Sequence, residues 1–176
     1  KELGTTVVVE NRAGASSNIG TEFVANAAAD GCTLLLGNNT GVVINRNLYK
    51  LRVDPVKGLA PVIEVASVPL VLYVNSAVPA NSLAQLVELV KKSPGKFSYA
   101  SGGSGSPQHL MGEMLKLEKQ LDITHIPYKG QGPALADVLA GQVPMAFETT
   151  TAIASQLQSG RIRALATTGH ARSPGL

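Results

Sequence analysis

Phe97-Ser98-Tyr99-Ala100-Ser101-Gly102-Gly103-Ser104-Gly105-Ser106-Pro107 is the stretch whose reading decides the fold. Phe97 to Ala100 has strand character. Ser101 to Ser106 is a Gly/Ser loop. Ser106 is an N-cap candidate, and Pro107 suits the first helical position, where its missing N–H costs nothing. Leu110, Met114, Leu117 and Leu121 then fall on one helix face. A strand, a glycine loop and a helix in that order form the unit from which α/β sheets are built.

The same alternation continues on both sides. Downstream, Ile123–Pro127 predicts a strand and Pro133–Ala140 a helix closed by Gly141. Val143–Phe147 predicts a strand, Thr150–Ser159 a helix closed by Gly160, and Ile162–Ala166 the last strand. Upstream, Ser82 with Gln85 three residues on forms a capping box, and Leu83, Leu86, Val87 and Val90 make one stripe. Before it, the apolar runs Ala60–Ala66 and Leu70–Val74 flank Ser67-Val68-Pro69 and read as one interrupted strand path. Thr6–Glu10 is a strand candidate, followed by a loop at Gly14–Ser17 and a helix capped by Asn18 and running to about Ala28. Thr33–Leu36 predicts a short strand buried on both faces. Gly37–Gly41 is a polar turn, and a short helix covers Val42 to Tyr49. Strict β–α alternation predicts parallel sheets covered by helices.

Composition narrows the function classes. The 176 residues are 44% hydrophobic and 15% charged, enough for one core or two small lobes, and no apolar run approaches the roughly 20 residues that span a bilayer. Aromatics are 4% with no Trp, and the 15 basic residues are scattered against 12 acidic ones, which argues against nucleic-acid binding. Cys32 is the single cysteine, so no intrachain disulfide and no Cys-rich metal site can form. Lys1-Glu2-Leu3-Gly4 reads as a helix end entering a strand and Arg172-Ser173-Pro174-Gly175-Leu176 as a loop, so an internal piece of a longer chain is expected.

Ligands of open α/β sheets bind beyond the carboxyl ends of the strands. That rule selects Asn11–Ser17, Gly37–Gly41, Ser101–Ser106, Tyr128–Gly132 and Glu148–Thr151. Ser101–Ser106 is the strongest of these. Its glycines let N–H groups converge, Ser101, Ser104 and Ser106 add hydroxyl donors, and the helix N-terminus favours an anion. The stretch lacks the final glycine of a dinucleotide fingerprint. His109 and Glu113 share a helix face, but no further His or Cys lies close in sequence to complete a metal site. Gly102-Gly103-Ser104-Gly105-Ser106 fails the nucleophile-elbow pattern at its last position, and no acid has an evident triad role. A His in the first helical turn positions the loop or reaches a ligand oxygen. Asn38, Asn39 and Thr40 form a polar cluster that binds a carboxyl group or simply makes a turn. Arg12, Tyr128 and Lys129 are further candidates for an anion, with solvated loop side chains as the plain alternative.

Several phrases together resemble the substrate-binding proteins of the tripartite tricarboxylate transporter family, the Bug receptors. They are Val7-Val8-Val9-Glu10-Asn11-Arg12-Ala13-Gly14-Ala15 with Asn18-Ile19-Gly20, Asp30-Gly31-Cys32-Thr33-Leu34-Leu35-Leu36-Gly37, and Asp54-Pro55-Val56-Lys57. Tyr99–Ser106 with His109-Leu110 and Gly112-Glu113, Ile123-Thr124-His125-Ile126-Pro127-Tyr128-Lys129-Gly130, and Gly160–Ala166 continue the match. The resemblance implies an α/β, two-lobed periplasmic binding protein of the Venus-flytrap kind with its first lobe incomplete. Residues 1–67 would be the partial first lobe and 70–166 the second lobe. Residues 167–176 would begin the return crossover. It implies a receptor in the periplasm that takes a small carboxylate and delivers it to membrane transporter subunits, with no enzyme activity, cofactor, metal or nucleic acid. The carboxylates it leaves open are di- and tricarboxylates, aromatic acids and acidic amino acids. The expected ligand contacts are Asn38, Asn39, Thr40, Ser101, Gly102, Ser104, Ser106, His109, Tyr128 and Glu148. Relatives often carry Asp where Glu148 stands. The alternatives are an effector-binding module for a sensor protein and a phosphate-handling α/β enzyme. An incomplete first lobe would expose strand edges, so self-association of the chain is expected.

Overall fold

The computed structural model describes residues 4–12 and 14–171, Ser16 as backbone only. The helix end expected at Lys1–Leu3 and the closing loop at Arg172–Leu176 lie outside the described residues. The chain divides into two compact units, Lys1–Ile63 and Glu64–Leu176.

The second unit is a five-stranded sheet covered by four helices. Its strands are β1 (Leu70–Asn75), β2 (Phe97–Ser101), β3 (Ile123–Pro127), β4 (Met145–Thr149) and β5 (Ile162–Thr167), in the order β3-β2-β4-β1-β5. The helices are α4 (Leu83–Lys91), α5 (Pro107–Lys119), α6 (Gln131–Leu139) and α7 (Thr150–Gln158). All six residues of β1 are buried. Its side chains alternate, as a strand's must. Leu70, Leu72 and Val74 pack with Leu86 and Val90 of α4 and with Tyr99, Met145 and Phe147, whereas Val71 and Tyr73 pack with Val138 of α6 and Ile153 of α7. A continuous apolar run is therefore what two covered faces demand.

The caps follow the sequence. The Ser82 hydroxyl accepts the Gln85 N–H at 3.2 Å and the Gln85 side chain accepts the Asn81 N–H at 2.7 Å, closing the start of α4. Ser106 caps α5 by accepting the His109 N–H at 3.2 Å. Helix α6 begins at Gln131, two residues before the expected Pro133.

One expectation is corrected by the sheet. It is mixed rather than parallel: β2 runs parallel to β3 and β4, but β1 is antiparallel to both β4 and β5. Alternation orders the elements without fixing their directions. Both neighbours of β1 come from distant sequence, and an antiparallel ladder satisfies its N–H and C=O groups equally well. The carboxyl ends of β2, β3, β4 and β5 consequently share one edge of the sheet. β1 starts at that same edge, Leu70 opposite Thr149.

Among the described residues the first unit has three short α-helices, α1 (Asn18–Ala25), α2 (Asn45–Leu48) and α3 (Pro55–Gly58), with a 3-10 turn at Ala15–Ser17 before α1. A π-helical turn at Thr40–Ile44 leads into α2, and together they fill the place of the helix expected over Val42–Tyr49. Asp54 caps α3 through the Val56 N–H at 3.0 Å and pairs with Arg46 at 3.1 Å. The residue before α1 is Ser17 in a left-handed conformation, not Asn18 as expected. Asn18 is instead the first helical residue, and its side chain accepts a buried hydrogen bond from Asn45 at 2.7 Å. The helix ends at Ala25, three residues short of the expected Ala28.

The strands expected at Thr6–Glu10, Thr33–Leu36 and Ala60–Ala66 form no regular secondary structure and join no ladder among the described residues. Leu36 is 86% exposed, so the burial on both faces expected of Thr33–Leu36 fails with the pairing; Val8 and Val62 are 78% and 81% exposed. An extended segment becomes a strand only when a neighbour takes its hydrogen bonds.

Candidate functional site

The loop after β2 is built from the strand upward. Ser101 ends β2 wholly buried, with its Oγ 2.7 Å from His125 Nε2 on β3. The same Oγ accepts the Gly103 N–H at 3.2 Å and donates toward the Gly103 carbonyl at 3.1 Å. Gly103 and Gly105 take φ of +135° and +81°, conformations that side chains beyond glycine resist. The turn closes through the Ser106 N–H on the Gly103 carbonyl at 3.2 Å, and the Gly105 N–H donates to His109 Nδ1 at 3.1 Å. The loop after β3 is tied to the same place. Tyr128 N–H donates to the Ser101 carbonyl and Gly130 N–H to the Gly102 carbonyl, at 2.9 and 3.1 Å.

These bonds separate the expected contacts into two groups. The hydroxyl of Ser101 and the Nδ1 of His109 are spent on holding the loop in place. The hydroxyl of Tyr128 is spent on α6, where it donates to Asp137 at 2.6 Å; that bond first, with burial second, pushes the phenol up to about 12. Ser104 is exposed, and its N–H and hydroxyl take no hydrogen bond among the described residues. Ser106 uses its oxygen as an acceptor for the helix cap, which leaves its hydroxyl proton available. Gly102 is half-buried beside Gln131 of α6, whose Cδ would lie 3.0 Å from any added Cβ.

Glu148 stands at the end of β4, next to this loop in the sheet order, and is buried. Its Oε1 accepts the Thr149 N–H at 2.8 Å and lies 3.5 Å from Gln108 Nε2 in the first turn of α5. The carboxylate thus joins the starts of α5 and α7. Burial above all, and then the Glu148 charge, push the Tyr73 phenol far above its ordinary range. Sequence reasoning missed Gln108, which reads as an ordinary polar helix residue until β4 brings Glu148 to it.

Beneath the loop lies a cluster the sequence did not assemble. The His109 and His125 rings are 4.0 Å apart, and Tyr99 stacks on His125 at 5.0 Å. The Tyr99 hydroxyl donates to Glu113 at 2.7 Å, with the His109 carbonyl at 3.2 Å. Burial first, then this bond to Glu113, hold the Tyr99 phenol protonated well above its usual range. The spacing of His109 and Glu113 was visible; their convergence with β2 and β3 required the sheet register, in which Tyr99 pairs with His125.

In the first unit, Asn38 Oδ1 accepts the Gly41 N–H at 3.0 Å, and the Val42 N–H donates to the Asn38 carbonyl at 3.2 Å. Asn39 is exposed and Thr40 buried. Arg12 pairs with Glu10 at 2.7 Å and lies over the Phe23 ring at 3.5 Å. No helix of the described residues is long and apolar enough to cross a membrane.

The model of the tripartite tricarboxylate transporter family receptor matches residues 1–176. Protein BugT of Bordetella pertussis is 41% identical over 97% of this chain and 53% of its own length. An R. palustris protein solved with adipate has a TM-score of 0.84 at 35% identity, covering 97% of this chain and 57% of that one. The periplasmic binding protein BugD has a TM-score of 0.73 at 36% identity, over 97% of this chain and 57% of that one. The chain spans about half the length of the curated relatives it matches. With the fold, the family's phrases and these likenesses in agreement, this chain belongs to the tripartite tricarboxylate transporter receptor family.

Proposed function

We propose that this chain is the ligand-capturing part of a periplasmic receptor, which binds a small carboxylate and passes it to a membrane transporter of the tripartite tricarboxylate type. The observation that carries the reading is the Ser101–Ser106 loop at the start of α5. Its inner bonds hold it in shape, while the Ser104 N–H and hydroxyl and the Ser106 hydroxyl proton remain for a ligand. Such a set recognises a carboxylate by neutral donors and the helix N-terminus, with no cation. The likeness to a protein solved with adipate supports a dicarboxylate. The likeness to BugD supports the periplasm. The chemistry is capture without turnover. The Ser101 hydroxyl and the His125 ring are 2.7 Å apart, but Ser101 is wholly buried and its oxygen is also engaged by Gly103. A nucleophile must reach its substrate, so this pair reads as a fastener.

The test is an amide NMR titration of this chain with adipate, succinate, citrate, benzoate and glutamate. At least one should shift the Ser104, Ser106 and Gln108 amides together. Recovered ligand should have unchanged mass. Shifts confined to residues far from this loop, or a chemically altered ligand, would sink the reading.

A further inference from the structure

The loop's inner fastenings point to a role for His109 that the ligand contacts do not include. We infer that His109 is a positioning residue, which holds the Ser101–Ser106 loop in its binding shape through the unprotonated Nδ1 of a neutral ring.

The geometry leaves little choice of tautomer. Gly105 N–H is a donor, so the Nδ1 it meets at 3.1 Å must present a lone pair, and the ring proton must sit on Nε2. A proton added to Nδ1 would turn the acceptor into a donor facing another donor. The Gly105 N–H would lose its partner, and Gly105 is buried. The turn from Gly103 to Ser106 would then have to rearrange.

Titratable groups face this ring from the neighbouring strands and from its own helix. The His125 ring lies 4.0 Å away on β3. Across β2 stand Tyr99, stacked on His125, and Ser101, bonded to it. Along α5 stand Glu113, which takes the Tyr99 hydroxyl, and Lys116, 3.8 Å from Glu113. Glu113 is the single anion among these groups and is already engaged by both Tyr99 and Lys116. His125 itself is held below its ordinary range, by burial first and then by His109, with Lys116 adding to this and Glu113 opposing it. One ring fastens Gly105 and the other fastens Ser101. Both fastenings converge on the same turn.

The consequence for a ligand rests on the reading of this loop as the carboxylate's seat; the consequence for the loop does not. The experiment therefore uses the ligand-free chain. Nitrogen-detected NMR of the imidazoles should show His109 as the Nε2–H tautomer at pH 7.5. On acidification the Gly105 amide should move with the midpoint of the His109 ring. His109→Ala should speed hydrogen exchange at Gly105 about three- to tenfold, the loss of one hydrogen bond. His109→Asn places an acceptor near the Nδ1 position that cannot be protonated, so it should restore slow exchange and abolish the pH-dependent shift. If His109→Ala does not fold, the wild-type titration and His109→Asn decide alone. An Nδ1–H tautomer, or a Gly105 amide that ignores the His109 titration, would overturn the inference. Adipate added to the same samples tests the separate question of whether the ligand sits there.

Discussion

The Tyr99 ring occupies the space that a side chain at residue 112 would need. A Cβ built on Gly112 of α5 falls well inside van der Waals distance of three atoms of that ring. The helix therefore lies directly on the aromatic face, and the contact sets how closely the start of α5 approaches β2. Gly112→Ala should destabilise the fold by about 1–3 kcal/mol, the usual cost of overpacking, although alanine is the better helix former. Urea unfolding measures it. A variant as stable as the parent would mean that α5 and Tyr99 can part without cost.

Ser101, Ser104 and Ser106 should separate by phenotype. Ser104→Ala removes an exposed hydroxyl without a partner among the described residues, so stability should stay within about 0.5 kcal/mol. Its adipate affinity should fall about three- to tenfold, one hydrogen bond's worth. Ser106→Ala should weaken binding on the same scale and also cost about 1 kcal/mol as a lost N-cap. Ser101→Ala should cost about 1–3 kcal/mol, because it removes a wholly buried hydroxyl that joins the half-buried His125 and Gly103. Paired unfolding and NMR titration would check the set, and equal stability losses at all three positions would refute the division.

Much of this site was legible before the structure. The strand, the loop, the Ser106 cap and Pro107 followed from residue type and spacing, because caps and positive-φ turns are local. The division of labour among the serines was not, since the partner of Ser101 is His125, two elements away. The direction of β1 was hidden for a similar reason: its neighbours β4 and β5 come from far along the chain. In the first unit, Val7–Val9 and Leu34–Leu36 carry the composition of strands, but pairing is a property of two segments and cannot be read from one.

Acid should weaken the fold through His125. Its proton affinity is lowered in the folded state by burial and by His109, so the unfolded chain binds the proton more readily. Stability from this group is complete above the ordinary imidazole range, about pH 6.5, and is lost as pH falls below it toward the depressed folded value. Melting temperatures at pH 7.5 and 5.5 should differ more for the parent than for His125→Gln, which carries no titrating ring. An equal difference in both proteins would assign the acid sensitivity elsewhere.

The exposed apolar segments of the first unit should make the chain associate with itself. Val7, Val8 and Val9 are 68–80% exposed and have no ladder partner among the described residues. Unpaired extended backbone with β-branched side chains is a template for pairing with a second copy. Light scattering after size exclusion should show mass rising with concentration. Val8→Lys should shift the chain toward monomer, as charges on free edges do. A concentration-independent monomer would rule this out.

The second unit begins and ends its sheet at one place. The Leu70 N–H donates to the Thr168 hydroxyl at 2.9 Å, and the Thr168 N–H donates to the Leu70 carbonyl at 2.8 Å. Nearly a hundred residues of chain thus leave and return through a gate about one strand spacing wide, roughly 5 Å. A body with adjoining ends can be spliced into another polypeptide without stretching its host, and its own ends can be joined and reopened elsewhere. The paired ends make Leu70–Thr168 a natural cassette for insertion and circular permutation.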